Sequence, residues 1–330
     1  MTAPAEYVVH GAPISLFTRK LEAALAFKGI AYRFEIKDEA RGAALEARAG
    51  THQVPVLETP DGWWVADSTP QIRWLDALHP LMPMFPPGPA GVLVHLLEDV
   101  LDEWVSRVMV HYRWHDDDNT RHIVSALSGR EVDLGTARAH PLATWGLRAC
   151  RATGTASVTA QQSAGREYLG LVEALETQLA QTPYALGELP TAVDCALLGG
   201  LRAHTLPDPH PDLSMYPRVN AWAAAGHAWP GRGSLPPFPA TTRFGEHLLE
   251  LAREHYGPFM AANRAARADG RKAFVVDTYG EPVSYLARAY PERARRMIGE
   301  RIEHTLTAAE QREVRAWLGA CGLAHCFDLA

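Results

Sequence analysis

Residues Thr51–Ile72 read THQVPVLETPDGWWVADSTPQI, and the fold turns on how that stretch is parsed. Pro55 stands between two valines in what otherwise reads as a short buried strand, although proline has no N–H to give a sheet ladder. The apolar runs on either side of Pro60, Asp61 and Gly62 predict a β-hairpin. STPQIRWLDALHP then opens a helix, with a Ser or Thr cap, Pro70 in the first turn, and Ile72, Leu75 and Leu78 at helical spacing.

Working toward the amino terminus, Ala31–Ile36 alternates with period two, and Ser15–Phe27 sets Leu16, Leu21, Ala24, Leu25 and Phe27 on one helical face before Gly29. Tyr7–His10 is a short β-branched run, and DEARGAALEARAG is helix-prone. The order βαβ, α, ββ, α predicts a thioredoxin-like α/β domain over residues 1–80. The proline-rich stretch PLMPMFPPGP reads as a surface linker, assigned to residues 81–90.

Toward the carboxyl terminus, residues 91–330 read as an all-α domain. Gly91–Trp114 is a long amphipathic helix. Residues 116–160 form a polar, irregularly patterned insertion, and residues 228–330 an extension. Within the extension, KAFVVDTYGEPVSYLARAY predicts a small β-hairpin about Tyr279 and Gly280 before a last helix pair.

The chain has 330 residues, 47% of them hydrophobic and 21% charged, which is globular composition sufficient for two cores. A formal charge of -6 with scattered basic residues gives no footprint for nucleic acid. There is no basic leader followed by an apolar run and no apolar stretch of spanning length, so a cytoplasmic protein without a membrane partner is expected. Cys150, Cys195, Cys321 and Cys326 are too few and irregular for a disulfide framework and read as reduced thiols.

Together, VPVLE, ADSTPQI, SLFTRKL, the proline-rich linker and the helical second half resemble the cytosolic glutathione transferase superfamily, as a divergent serine-type subgroup carrying a C-terminal extension. The plan is covered from Tyr7 to about His227. The resemblance implies a cis bond before Pro55, with the backbone of Val54 turned to pair with the cysteinyl unit of glutathione like a rung of an added strand. It implies that Asp67 and Ser68 receive the γ-glutamyl end at a helix start, and that Gln53, or His52 beside it, touches the glycyl end. An ordinary edge-strand proline and plain helix caps are the competing structural readings.

In the same family motif Ser15 donates its O–H to the glutathione sulfur, while the helix N-terminus adds positive potential. Leu16 stands where the family has proline, so Thr18 or a backbone amide is an alternative, and an N-cap role for Ser15 is the rival reading. His111, Tyr112, Arg113 and Trp114, near the end of the long helix, are candidates for the pocket of a small apolar electrophile. His111 and His115 have a ligand-like spacing but no evident third ligand, so no metal is expected. Thr191 and Asp194 read as a capping box, a folding element.

The expected activity is therefore that of a glutathione transferase acting as a homodimer, with glutathione as co-substrate. A glutathione-binding or interaction protein without catalysis is the rival. A reductase or lyase using Cys150 or Cys195 in the cleft is a weaker one, and no CxxC motif follows the first strand to support thioredoxin-like chemistry.

Overall fold

The computed structural model describes residues 6–327; residues 1–5, part of the stretch read for a leader, lie outside the described residues. β1 (Tyr7–Gly11), α1 (Leu16–Phe27) and β2 (Tyr32–Ile36) are followed by α2 (Glu39–Ala49), β3 (Val56–Glu58), β4 (Trp64–Ala66) and α3 (Ser68–Leu78). The sheet runs β2-β1-β3-β4. β1 is parallel to β2 and antiparallel to β3, and β3 is antiparallel to β4. This is the thioredoxin-like arrangement the periodicities predicted: α1 supplies the crossover that a parallel pair requires, and a tight turn suffices for β3 and β4. That turn closes with Gly62 N–H donating to the Thr59 carbonyl at 2.9 Å. Gly62 has φ 86°, open to glycine at little cost. Val9 and Leu57 from the sheet are fully buried with Leu21, Leu25 and Phe27 of α1 and Ile72 and Leu75 of α3.

The proline-rich stretch is not wholly on the surface. Met84 and Phe85 are buried, because both oxygens of Asp76 accept their backbone N–H groups, at 2.9 and 2.8 Å. α4 (Gly88–Asp99) begins within the stretch and continues through a π-helical turn, Val100–Val105, into α5 (Ser106–His115). The insertion folds as α6 (Asp117–Ser128), α7 (Leu134–Ala139) and α8 (Pro141–Ala152), and α9 (Val158–Leu179) follows. α10 (Ala192–Gly200) begins at the predicted capping box, where the Thr191 N–H donates to Asp194 at 2.8 Å. A second π-helical turn and α11 (Pro217–Ala224) complete this part. α1 crosses α10 at Gly199, where an added Cβ would lie 2.5 Å from the Leu16 carbonyl oxygen and 2.9 Å from Lys20 Cβ. That close approach fixes the start of α1 against the helical domain.

The extension is folded and packed on the rest. α12 (Arg243–Leu251), a third π-helical turn (Ala252–Tyr256) and α13 (Gly257–Ala268) lead to β5 (Ala273–Thr278) and β6 (Glu281–Leu286), the predicted hairpin. Its turn residues Tyr279 and Gly280 have φ 56° and 80°, positive at both positions as a two-residue hairpin turn favours. α14 (Ala289–Thr305) and α15 (Ala308–Ala320) follow and pack against α4. The hairpin tip is tied to the helical domain: Tyr279 donates its O–H to Glu167 at 2.6 Å and accepts from Arg107 Nη2 at 2.5 Å. Among the described residues no helix is long and apolar enough to cross a membrane.

Candidate functional site

Loop ends and helix starts of the sheet domain converge on one cavity of about 550 Å³. From that side it is lined by Leu16 and Phe17 at the start of α1, Gln53, Val54 and Pro55 before β3, and Asp67, Ser68 and Thr69 at the start of α3. The Val54–Pro55 bond is cis. Val54 precedes the first ladder residue, Val56, and among the described residues its backbone N–H and C=O take part in no hydrogen bond. The first amides of a helix have no intrahelical acceptor, so the starts of α1 and α3 bring polar N–H groups to the same space.

Asp67 has φ 74°, the left-handed side where a non-glycine residue is uncommon. Its side chain does not cap α3. Instead its carboxylate is paired with Arg293 at 3.0 Å. Ser68 is buried, and Thr69 donates to Glu98 at 2.6 Å. Ser15 is the N-cap of α1: its hydroxyl oxygen accepts from Thr18 N–H at 3.3 Å, which leaves its own O–H to donate elsewhere. Thr18 is fully buried and its hydroxyl accepts from Ala12 N–H at 3.3 Å, facing the strand end at Gly11.

The opposite wall comes from the long helix, the insertion and the extension. The long helix contributes Asp99, Asp102, Glu103, Ser106, Arg107 and Val110. α8 contributes Trp145 and Arg148, and the extension Leu286, Arg288, Tyr290 and Met297. Acids and bases interleave here. Buried Lys20 joins Glu98 and Asp102 and donates to Thr69 at 3.1 Å. Arg288 pairs with Glu103 at 2.9 Å. The guanidinium carbon of Arg107 lies 3.7 Å from the centre of the Trp104 ring. Burial pushes the Asp102 carboxyl up to about 7 against the pull of Lys20. Burial, with Glu103 nearby, raises Asp99 well above the carboxylate range, while Tyr256 donates to it.

The residues expected to line an electrophile pocket lie elsewhere. Arg113 is buried, donating to Asp208 at 2.8 and 2.9 Å and to the Ile14 carbonyl at 3.0 Å. Trp114 sits in a second core with Ile123 and Ala143, covered by α8, where a Cβ on Gly146 would fall 2.3 Å from its ring. His111 and His115 bond to each other at 2.8 Å, and His111 is pushed down to about 4 by burial and by His115. The Tyr112 hydroxyl meets α9 at Gly165. The wall ends at Val110 because the next turn of the helix is roofed by the insertion. No metal-holding group of three or more His, Cys, Asp or Glu occurs among the described residues. Cys150 is buried with Sγ 3.6 Å from the Val110 carbonyl, and burial raises its thiol to about 12. Cys195 is fully buried against Met84.

Arg107, Arg148, Arg288, Tyr290 and Arg293 are not singled out by the sequence reading. One signal was legible: Glu98, Asp99, Asp102 and Glu103 recur at i and i+4 inside an otherwise apolar helix, a stripe that has to meet cations or a polar space.

Residues 14–78 match the family model of the glutathione S-transferase N-terminal domain. No curated protein matches the chain. Solved structures similar to it include a glutathione S-transferase from Rhodospirillum rubrum F11, at 15% identity over 66% of this chain and 86% of that one, TM-score 0.47. One from Pseudomonas fluorescens has 21% identity over 66% and 92%, TM-score 0.40. Another, from Methylobacterium radiotolerans in complex with glutathione sulfonate, has 21% identity over 66% and 88%, TM-score 0.43. At such scores these likenesses decide nothing about the site. The match at residues 14–78 covers the stretches that build the first wall of the cleft, from the start of α1 through α3, so that part of the chain is similar to the glutathione S-transferase N-terminal domain.

Proposed function

We infer that the cleft binds glutathione and presents its thiol to a small electrophile. The observation that carries this reading is the convergence of Val54, Ser68, Asp67 and the start of α1 on one cavity. The unpaired backbone of Val54 suits the cysteinyl unit as a single strand rung. Ser68 and the first amides of α3 suit the γ-glutamyl carboxylate, and Gln53 the glycyl end. For the sulfur, the donors offered at the start of α1 are the amides of Leu16 and Phe17, which line the cavity, and the O–H of Ser15 just before them. Leucine in place of proline adds an N–H at the first helical position, so hydroxyl and amides together favour thiolate over thiol. Val110, Trp145, Tyr290 and Met297 provide a largely apolar wall for the electrophile. A homodimer remains the expectation from the family, to be tested by sedimentation.

Calorimetric titration with glutathione, followed by absorbance titration of the bound thiol, tests the reading. Binding with a thiol pKa lowered from its free value is expected, and Ser15→Ala should raise it again by about one unit, equivalent to about 1.4 kcal/mol. The same substitution should cost about 1 kcal/mol of stability through the lost helix cap. Absence of binding would remove the proposal. Binding with an unshifted thiol would leave the non-catalytic reading, which the pairing of Asp67 with Arg293 favours, since the proposed ligand site is already in contact with the extension.

A further inference from the structure

The extension carries a cation to the point where the proposed ligand would bring its own. Arg293, in the first turns of α14, sets Nη1 3.0 Å from Asp67 Oδ2. Its guanidinium carbon lies 5.7 Å from the centre of the Tyr290 ring, which itself lines the cleft. The partners are 226 residues apart in sequence, so no local turn or helix motif explains the pair. Arg288 fixes the same segment from its other end by pairing with Glu103 at 2.9 Å.

We propose that Arg293 is a specificity-determining residue at the amino end of the site: it occupies Asp67 in place of the γ-glutamyl ammonium, so that the cleft accepts γ-glutamyl-type thiols whose α-amino group is missing or blocked as readily as glutathione. This rests on the reading that the γ-glutamyl end lies at Asp67 and Ser68. One carboxylate cannot serve two adjacent cations at full strength. An arriving ammonium either displaces the guanidinium, giving up the ion pair already made, or shares Asp67 with it against like-charge repulsion. In both cases the amino group adds little net affinity. The α-carboxylate loses nothing, because the α3 amides and the Ser68 hydroxyl remain, with a guanidinium nearby. The Arg293 side chain is 55% exposed, so its replacement leaves no buried gap.

The test compares glutathione with glutaryl-cysteinyl-glycine, which lacks only the α-amino group, by calorimetry on the full chain. For the native protein the two dissociation constants should agree within about threefold. In Arg293→Ala the freed Asp67 should favour glutathione by about tenfold or more, the range of a charge-assisted hydrogen bond. Arg293→Lys should stay near the native ratio, and Asp67→Asn with Arg293→Ala should return to it. A native preference for glutathione of tenfold or more would overturn the proposal, as would an unchanged ratio in Arg293→Ala, with glutathione binding itself left standing. Failure of both ligands to bind either protein would instead remove the underlying reading of the site, and the proposal with it.

Discussion

The two walls of the cleft are built by different means. The wall from residues 16–69 stands at backbone features: the segment just before the ladder residue Val56 and the starts of two helices, all set by strand register and local helix geometry. The wall from the long helix and the extension is side chains, aligned by Lys20 with Glu98 and Asp102, Arg288 with Glu103, Arg293 with Asp67, and Tyr256 with Asp99. A backbone wall can hold a constant part of a ligand, since amides and carbonyls do not change with the side chains around them. A side-chain wall can be re-specified one residue at a time, and here it is the extension that re-specifies it.

The junction between the walls offers the harshest way to break this contrast. Lys20 is fully buried between two carboxylates. Lys20→Met would leave both without a cation and should cost about 3–5 kcal/mol in urea unfolding. A loss under about 1 kcal/mol would mean that the walls are not joined by charge. Next in size is the hold of the extension on the long helix. Tyr256→Phe removes the O–H that serves buried Asp99 and should lower stability by about 1–3 kcal/mol. An unmoved urea midpoint would show that packing alone seats the extension.

A further test concerns pH. Asp102 is raised from the ordinary 3.8 to about 7, so in that interval the folded chain binds more protons at this site than the unfolded chain. Its contribution to stability is therefore full below about pH 4 and is lost as pH rises toward 7. Asp102→Asn should remove that loss, making the variant more stable relative to the native protein at pH 8 than at pH 5. The same difference at both pH values would mean that the carboxyl titrates alike in the folded and unfolded chains.

Much of the first wall was legible because its signals are local. Pro55 between valines, Pro60-Asp61-Gly62 and the Ser15 cap of α1 each state a backbone requirement within a few residues, whereas the Ser or Thr cap expected for α3 did not form, Ser68 and Thr69 lying inside the helix behind an Asp67 that does not cap it. The hairpin about Tyr279 and Gly280 was legible for the same reason. The position of the cleft's second wall was not. His111–Trp114 and Ser106–Val110 share one helix, and periodicity alone does not say which turn the insertion will roof. That depended on Gly146 letting α8 descend onto Trp114. Nor does periodicity pair Arg293 with Asp67, since long-range charge pairing leaves no mark at either site's neighbours.

By itself, then, the sequence determined the thioredoxin-like order of strands and helices and the turns between them, because local periodicity and turn chemistry within short segments dictate them, while the cis bond before Pro55 was implied only by the family resemblance. Only the tertiary structure decided which face of the long helix is open, where the extension lies and what already touches Asp67. Those outcomes depend on which distant surfaces fit together, and complementarity of shape and charge exists only between segments once they have been brought into contact.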